Sequence, residues 1–431
     1  MRVLTALILR SHRPKVDPIV KLQSVLRHPI TCGALGALGA ALAFVQIAAP
    51  AAAHDAATVA QVAPTPSVSA GPGMPAGVST APPGAAPASP APAPTTSAAP
   101  LAISIFGVGH LSADSLASGA ASDYLHSSSS RLGIKGDYGL GNGNSVLFQY
   151  ETGVDLTGAG VGDGNGGANS RGQLFTRTRD SYVGFKGAFG SVLLGRLGGL
   201  NQWLYTYNLF ADQVGDLGNI FGGDGLPGRL DHALLYQSPN LGGVSLGLTY
   251  APNQGTRGSS SFIANGLYEQ GHFKAGAAFA SFGGGPKLSN TTATAITGTY
   301  DFGPLSLGGG FQHETNIGGI SSADRNKYTV GTTVKLGANG TVKALFASAG
   351  DLNGVPHSGA NQSAFGYDYA LGKSTTIYAA YARTSNDLLG AYSAFDYGHG
   401  NNGAPAIEPG KSPSGVSLGV VFKFNAPLVK H

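Results

Sequence analysis

The chain has 431 residues, of which 11% are charged, against roughly a quarter in an ordinary soluble domain. Glycine reaches 68, with 17 tyrosines and 19 phenylalanines, a profile that suits a large all-β protein with many turns and an uncharged outer surface. The formal charge of +4 is carried by residues 1–53, which hold six of the 26 basic residues and one of the 22 acids; the remaining 20 basic and 21 acidic residues form no basic patch and give no case for a nucleic-acid partner.

At the start of the chain, Arg2, Arg10, Arg13, Lys15, Lys21 and Arg27 precede an apolar run over 30–49, and Ala51, Ala52 and Ala53 follow it. Basic, apolar, then small is the order of a secretory signal peptide, expected here over 1–53. The Ala/Gly-rich core and its small-residue end speak against the alternative, an uncleaved anchor. Cys32 is the single cysteine and lies at the start of the apolar run, whereas a lipoprotein cysteine would stand at its far end. The exported protein is therefore expected to hold no disulfide and no thiolate metal site. Residues 54–100 are Ala, Pro, Ser, Thr and Gly in the main, with prolines from Pro64 to Pro94. Such a composition buries no core and predicts an extended, disordered spacer.

From Leu101 the texture changes to short runs of period two, continuing to Phe424. Val416, Leu418, Val420, Phe422 and Phe424 alternate with Ser417, Gly419, Val421 and Lys423; Val244, Leu246, Leu248 and Tyr250 alternate with Ser245, Gly247 and Thr249. Each run is a strand with one apolar and one polar face. In a soluble sandwich the apolar face would point inward and leave a surface with too few charges to be soluble. In a membrane barrel the apolar face meets lipid and the polar face meets water. No apolar helix follows residue 53, so a closed barrel is the one way for this region to span.

About sixteen such runs are present, within the range of transmembrane barrels. Short turns are expected near Gly141-Asn142-Gly143, Gly187–Gly190, Pro239–Gly242, Asp301–Gly303, Gly337–Gly340 and Leu371–Lys373, and long loops near 112–129, 157–171, 198–229 and 387–414. The predicted fold is an all-β transmembrane antiparallel barrel over 101–431, with short turns on one rim and long loops on the other.

Several motifs point to chemistry and fail on context. Gly243-Val-Ser-Leu-Gly247 and Gly415-Val-Ser-Leu-Gly419 both match the nucleophile-elbow pattern, but both lie inside period-two strands rather than at a strand-to-helix turn. Gly366–Lys373 spaces its glycines one residue too far apart for a phosphate loop. The Gly-rich stretch 162–167 reads as a surface loop. His110, His126, His232, His272 and His313 are scattered without metal-ligand spacing. No enzyme, cofactor or metal is expected from these residues.

Six segments carry a resemblance. They are Ser130-Arg-Leu-Gly-Ile-Lys-Gly136, Phe148-Gln-Tyr-Glu-Thr-Gly153, Arg179-Asp-Ser-Tyr-Val-Gly-Phe185, Phe189-Gly-Ser-Val-Leu-Leu-Gly-Arg196, Tyr236-Gln-Ser-Pro-Asn-Leu-Gly-Gly243 and Tyr378-Ala-Ala-Tyr-Ala-Arg383. In this order the chain from Leu101 to Phe424 resembles the Gram-negative general porins, the trimeric sixteen-stranded type, and most of all their β-proteobacterial branch. The resemblance implies an outer-membrane channel for passive diffusion of small hydrophilic solutes and ions, a homotrimer set among outer-membrane lipid and lipopolysaccharide. It implies a third long loop, here 198–229, folded inward to narrow the lumen.

The resemblance also implies a wall of charges facing acids on that loop. By motif position the wall residues are Arg131, Lys135, Glu151, Arg179 and Arg229, and the loop acids are Asp216 and Asp224. Ile220 stands where an acid often occurs in the family. Trp203, Tyr205, Tyr207 and Phe210 cluster in the same loop, and a substrate-specific channel on the same barrel is the alternative they raise. A structural tether to the cell wall through 54–100 is another. Phe424 resembles the family's terminal aromatic residue, yet 425–431 follow it.

Overall fold

The computed structural model describes residues 101–157, 175–199, 207–222, 226–400 and 404–429. The expected signal peptide over 1–53, the spacer over 54–100, the glycine-rich stretch 162–167, Trp203, Tyr205 and Asp224 lie outside them. Among the described residues no helix is long and apolar enough to cross a membrane. The strands cross instead, and they belong to a single 17-stranded sheet.

The sheet closes on itself. Strand β1 (Leu101–Ala117) pairs antiparallel with β17 (Ser414–Val429), from Ile103 opposite Val429 to Ala117 opposite Ser414. The residues beyond Phe424 thus extend the last strand rather than leave it. The other edge of β1 is shared: β3 (Arg131–Gly141) takes Leu101–Val108, and β2 (Ala121–Ser127) takes Leu111–Ala117. β2 and β3 are therefore two lengths of one stave, and the barrel has sixteen staves. Their junction is a bulge, in which Ser128, Ser129 and Ser130 stand opposite Gly109 and His110, with Ser129 at φ 50°.

Burial is inverted relative to a soluble protein. Along β17, Leu418 is 60% exposed while Ser417 is fully buried. Ile296, Phe365 and Val183 are exposed in the same way on other strands. Large apolar side chains outside and small or polar ones inside are what a barrel in lipid requires.

Short turns at 142–143, 188–189, 271–272, 302–304, 337–339 and 371–374 join strands at one rim. The connections 199–228 and 387–413 are long and lie at the other. One expectation is corrected: 112–129 is not a loop. There β1 and β2 continue as a hairpin that turns over 118–120, because the period-two pattern simply extends beyond the usual stave length.

The apolar core lies inside the barrel. Loop 199–228 buries Phe210, Val214, Leu217, Ile220 and Phe221, and its short helix α1 (Gly218–Phe221) lies against β14 (Gly340–Ala349) and β15 (Ala360–Ala370). The inward face there is alanine: Ala347, Ala360 and Ala364, then Ala380 and Ala382 on β16 (Thr375–Asn386). Gly215, at φ 84°, shows how close the approach is. A Cβ at that position would lie 2.5 Å from the Ala364 Cβ and 3.0 Å from the Ala382 Cβ.

Candidate functional site

Loop 199–228 leaves β6 (Gly190–Gly198) and returns into β7 (Arg229–Gln237). It is fastened to the far wall by polar bonds as well as by packing. The Tyr207 hydroxyl donates to the Gly308 carbonyl. Gln362 Nε2 donates to the carbonyls of Gly215 (2.9 Å) and Asp216 (3.2 Å). Lys343 Nζ donates to Gln213 Oε1 at 2.7 Å and sits 4.6 Å from the centre of the Phe210 ring. Water that passes through the lumen is thereby confined to the opposite side.

That opposite side carries the charges read from the motifs. β4 (Asn144–Val154) and β5 (Phe175–Gly187) run in register until a bulge: Tyr150 faces Ser181, but Thr152 faces Thr178. Glu151 therefore opposes two residues, Arg179 and Asp180, and both are buried, as a bulge permits by re-aiming one side chain. Arg179 Nε donates to Glu151 Oε1, both side chains being fully buried. Asp180 Oδ1 accepts from Arg229 Nε at 2.5 Å, again with both partners buried.

Arg131 is different. Its Nη1 donates to the Ser129 carbonyl at 2.9 Å and to Asp212 Oδ2, on the inward loop, at 3.3 Å. The two side chains keep 13 and 12% of their surface exposed. Lys135 lies two pleat repeats further from the long-loop rim; it is exposed and its Nζ stands 5.1 Å from the centre of the Phe106 ring.

The five wall residues read from the motifs thus lie on three adjoining staves and on β7. Arg131, Glu151, Arg179 and Arg229 act on one another's charges. Lys135 stands apart from them. The loop acids divide. Asp216 is fully buried and accepts from Asn208 Nδ2 (2.8 Å), the Asp212 amide (2.7 Å) and the Gly218 amide (2.7 Å). Burial first, then the neighbouring Asp212 carboxylate, push its pKa up to about 8. It fastens the loop to itself. Asp212, which motif reasoning passed over, is the acid that reaches the wall, because the loop turns at that residue with φ 64°. Ile220 packs in the buried apolar cluster, so an acid there would have no water to face.

The serines of the two nucleophile-elbow look-alikes, Ser245 and Ser417, both lie within strands, at β8 (Val244–Ala251) and β17. The histidines are less scattered in space than in sequence. His126 on β2 and His399 in the last long loop meet at Asp114 on β1, a pairing no local spacing could reveal.

A family model described as Gram-negative porin matches residues 39–389. The outer membrane porin protein 32 of Delftia acidovorans is 30% identical over 319 residues, 69% of this chain and 85% of the relative. The major outer membrane protein P.IB of Neisseria gonorrhoeae is 33% identical over 152 residues, 33% of this chain and 39% of that one. Among solved structures, an anion-selective porin from Comamonas acidovorans superposes with a TM-score of 0.61 at 25% identity, covering 75% of this chain and all of that one. The trimer form of OmpT from Vibrio cholerae shares the fold at 14% identity, with a TM-score of 0.54 over 75% of this chain and 100% of that one. The family and the Delftia and Comamonas relatives are porins, that is, channels. The sixteen-stave closed barrel, the loop folded into it and the family match together make this chain a member of the Gram-negative porin family, an outer-membrane channel for passive diffusion.

Proposed function

We propose that selectivity in this channel is set where Arg131, Glu151, Arg179 and Arg229 face the inward loop, with Lys135 nearer the other rim, and that the channel weakly prefers anions. One observation carries the reading: the Arg131–Asp212 pair joins wall to loop and stays partly open to water, whereas the Arg179–Glu151 pair is closed to it. Opposed charges across a narrow aqueous gap make a transverse field that orients polar solutes, and the balance of charge along the gap biases ions. Four bases, the three arginines and Lys135, stand against three described acids, Glu151, Asp180 and Asp212. The buried Asp216, its pKa pushed up to about 8, adds little negative charge at neutral pH. Asp224, outside the described residues, is proposed as a second loop acid. The Comamonas porin is anion-selective, which supports this reading of the balance. We also infer that the barrel assembles as a homotrimer in outer-membrane lipid, as the trimer form of the Vibrio protein supports.

The test is reversal potential in planar bilayers under a salt gradient. Wild type is expected to favour the anion modestly. Arg131→Ala should shift the potential toward the cation, and Asp212→Asn should shift it further toward the anion. Unchanged potentials in both variants would reject the assignment. Chemical cross-linking of the folded protein that yields no species beyond a monomer would reject the trimer.

A further inference from the structure

Apart from the constriction, the lumen holds one cluster of ligand-type side chains among the described residues, formed by Asp114, His126 and His399. They come from β1, β2 and the loop 387–413, and all three are buried. His126 Nδ1 lies 2.7 Å from Asp114 Oδ2, and His399 Nε2 lies 3.2 Å from the same oxygen. The three ligand atoms all fall within 4.8 Å of one another.

The hydrogen bonding leaves a conflict at this point. His399 Nδ1 is 3.2 Å from the Phe395 carbonyl, which can only accept, so Nδ1 carries the ring proton. In a neutral imidazole Nε2 then presents a lone pair, and it faces a carboxylate oxygen, which also presents lone pairs. Ser112 Oγ is 2.9 Å from Asp114 Oδ2 and 3.4 Å from His399 Nε2, but its single proton serves one of them. The second carboxylate oxygen, Asp114 Oδ1, is buried and makes no well-formed hydrogen bond, although Ser417 approaches the carboxylate. A cation between the imidazoles and Asp114 Oδ2 removes this clash of lone pairs, as a second ring proton on His399 also would, and metal titration separates the two.

We propose that Asp114, His126 and His399 bind a divalent transition cation of the zinc class, which fastens the last long loop to the first hairpin inside the barrel. Two imidazole nitrogens and a carboxylate suit zinc, cobalt, nickel or copper, whereas calcium and magnesium take shells of oxygen. Ligand atoms around a tetrahedral zinc with bonds of about 2.0 Å stand about 3.3 Å apart; His399 Nε2 is already at that spacing from Asp114 Oδ2, and His126 Nδ1, at 2.7 Å, has to draw back slightly to admit the ion. A water fills the fourth position, because the two oxygens of one carboxylate lie too close together to occupy two tetrahedral corners. The Phe395 carbonyl on His399 Nδ1 is the outer partner that a metal-bound histidine needs to fix its tautomer. The backbone on either side of His399 is already held, by Ser129 Oγ donating to the Gly398 carbonyl (2.7 Å) and by the Gly400 amide donating to Ser128 Oγ (3.0 Å).

The experiment uses the full chain, folded in detergent and stripped with a chelator, then titrated with Zn²⁺ and Co²⁺. One ion per chain is expected, Co²⁺ should develop visible bands of nitrogen ligation, and excess Mg²⁺ or Ca²⁺ should not displace it. His126→Gln and His399→Gln should each weaken binding by at least about tenfold, the scale on which even the outer partners of a metal ligand act. Less than one ion per chain, or His399→Gln binding Zn²⁺ as wild type does, would overturn the proposal. Absence of the Co²⁺ bands in the unmutated protein overturns it as well, whatever the folding of the variants.

Discussion

On one side of the lumen, β14, β15 and β16 present Ala347, Ala360, Ala364, Ala380 and Ala382 to a loop that packs on them. On the other, β3, β4, β5 and β7 present Arg131, Glu151, Arg179 and Arg229. Both sets are inward faces of the same sheet, yet one behaves as a protein core and the other as a lined channel. Small side chains let the loop backbone come close and bury its own Phe210, Leu217 and Phe221, as close packing demands. Charged side chains keep the other side from filling, because each buried charge needs a partner and the gap beside it stays wet. The position of the aqueous path is thus decided as much by the alanines as by the arginines.

The charged side should be the more fragile of the two when a partner is removed. Glu151→Ala leaves the fully buried Arg179 without its carboxylate, and breaking a buried ion pair costs about 3–5 kcal/mol. The folded barrel, followed by its gel mobility in unheated samples, is expected to melt at a markedly lower temperature. Replacing both residues by methionine should cost much less than Glu151→Ala alone. If the double variant is the less stable, this pair holds the wall together rather than merely satisfying itself.

The alanine side should be sensitive to volume instead. Gly215→Val places a branched side chain at φ 84° and against the Cβ atoms of Ala364 and Ala382. Overpacking of this kind costs about 1–3 kcal/mol, and the cost falls on the loop rather than on the strands. The loop should lift from the wall, single-channel conductance should rise, and a protease added to the folded protein should cut within 207–222. Unchanged conductance would show that something other than this packing holds the loop inward.

These two sides were unequally legible in the sequence. The strands announced themselves because alternation is local: Leu418 and Ser417 are neighbours with opposite burial. The wall charges were reached by short motifs around Arg131, Glu151 and Arg179. The alanine wall was not, since Ala380 and Ala382 read as neither polar nor apolar until a segment more than 160 residues earlier packs on them. The choice between Asp212 and Asp216 depends on a left-handed turn at Asp212, which composition does not reveal. His126 and His399 lie far apart in the chain and meet only because β1 carries β2 on one edge and lies under the last loop.

A pH scan sharpens the comparison from the loop's own interior. With its pKa pushed up to about 8 by burial and by Asp212, Asp216 keeps a proton in the packed loop that it loses when the loop detaches. Detachment therefore releases a proton between the ordinary carboxylate range, near pH 4, and about pH 8, and packing weakens as pH rises through that window. Open-channel noise and protease sensitivity should grow from pH 5 to pH 8 in wild type. Asp216→Asn, which cannot ionise, should remove the dependence. A wild-type channel with the same noise at both ends would mean that the three donors around Asp216 hold it ionised throughout.

The smallest structural effect is expected where the largest change in selectivity is. Arg131 and Asp212 keep 13 and 12% of their side-chain surface exposed and stand 3.3 Å apart, so their pair should contribute less than the fully buried kind, whose breaking costs about 3–5 kcal/mol, and more than an exposed one at about 1 kcal/mol or less. Arg131→Ala, Asp212→Asn and the double variant should all melt within a few degrees of wild type. A double-mutant cycle on melting should give a coupling smaller than that of Glu151 with Arg179, whereas the same cycle on reversal potential should give a clear one. The reason is the difference between the two kinds of pair on this wall. Arg179 and Glu151 are shut away and serve the barrel; Arg131 and Asp212 meet water, so their field reaches the ions that pass. If the stability cycle instead gives a coupling as large as that of Glu151 with Arg179, the open pair is a strut between loop and wall.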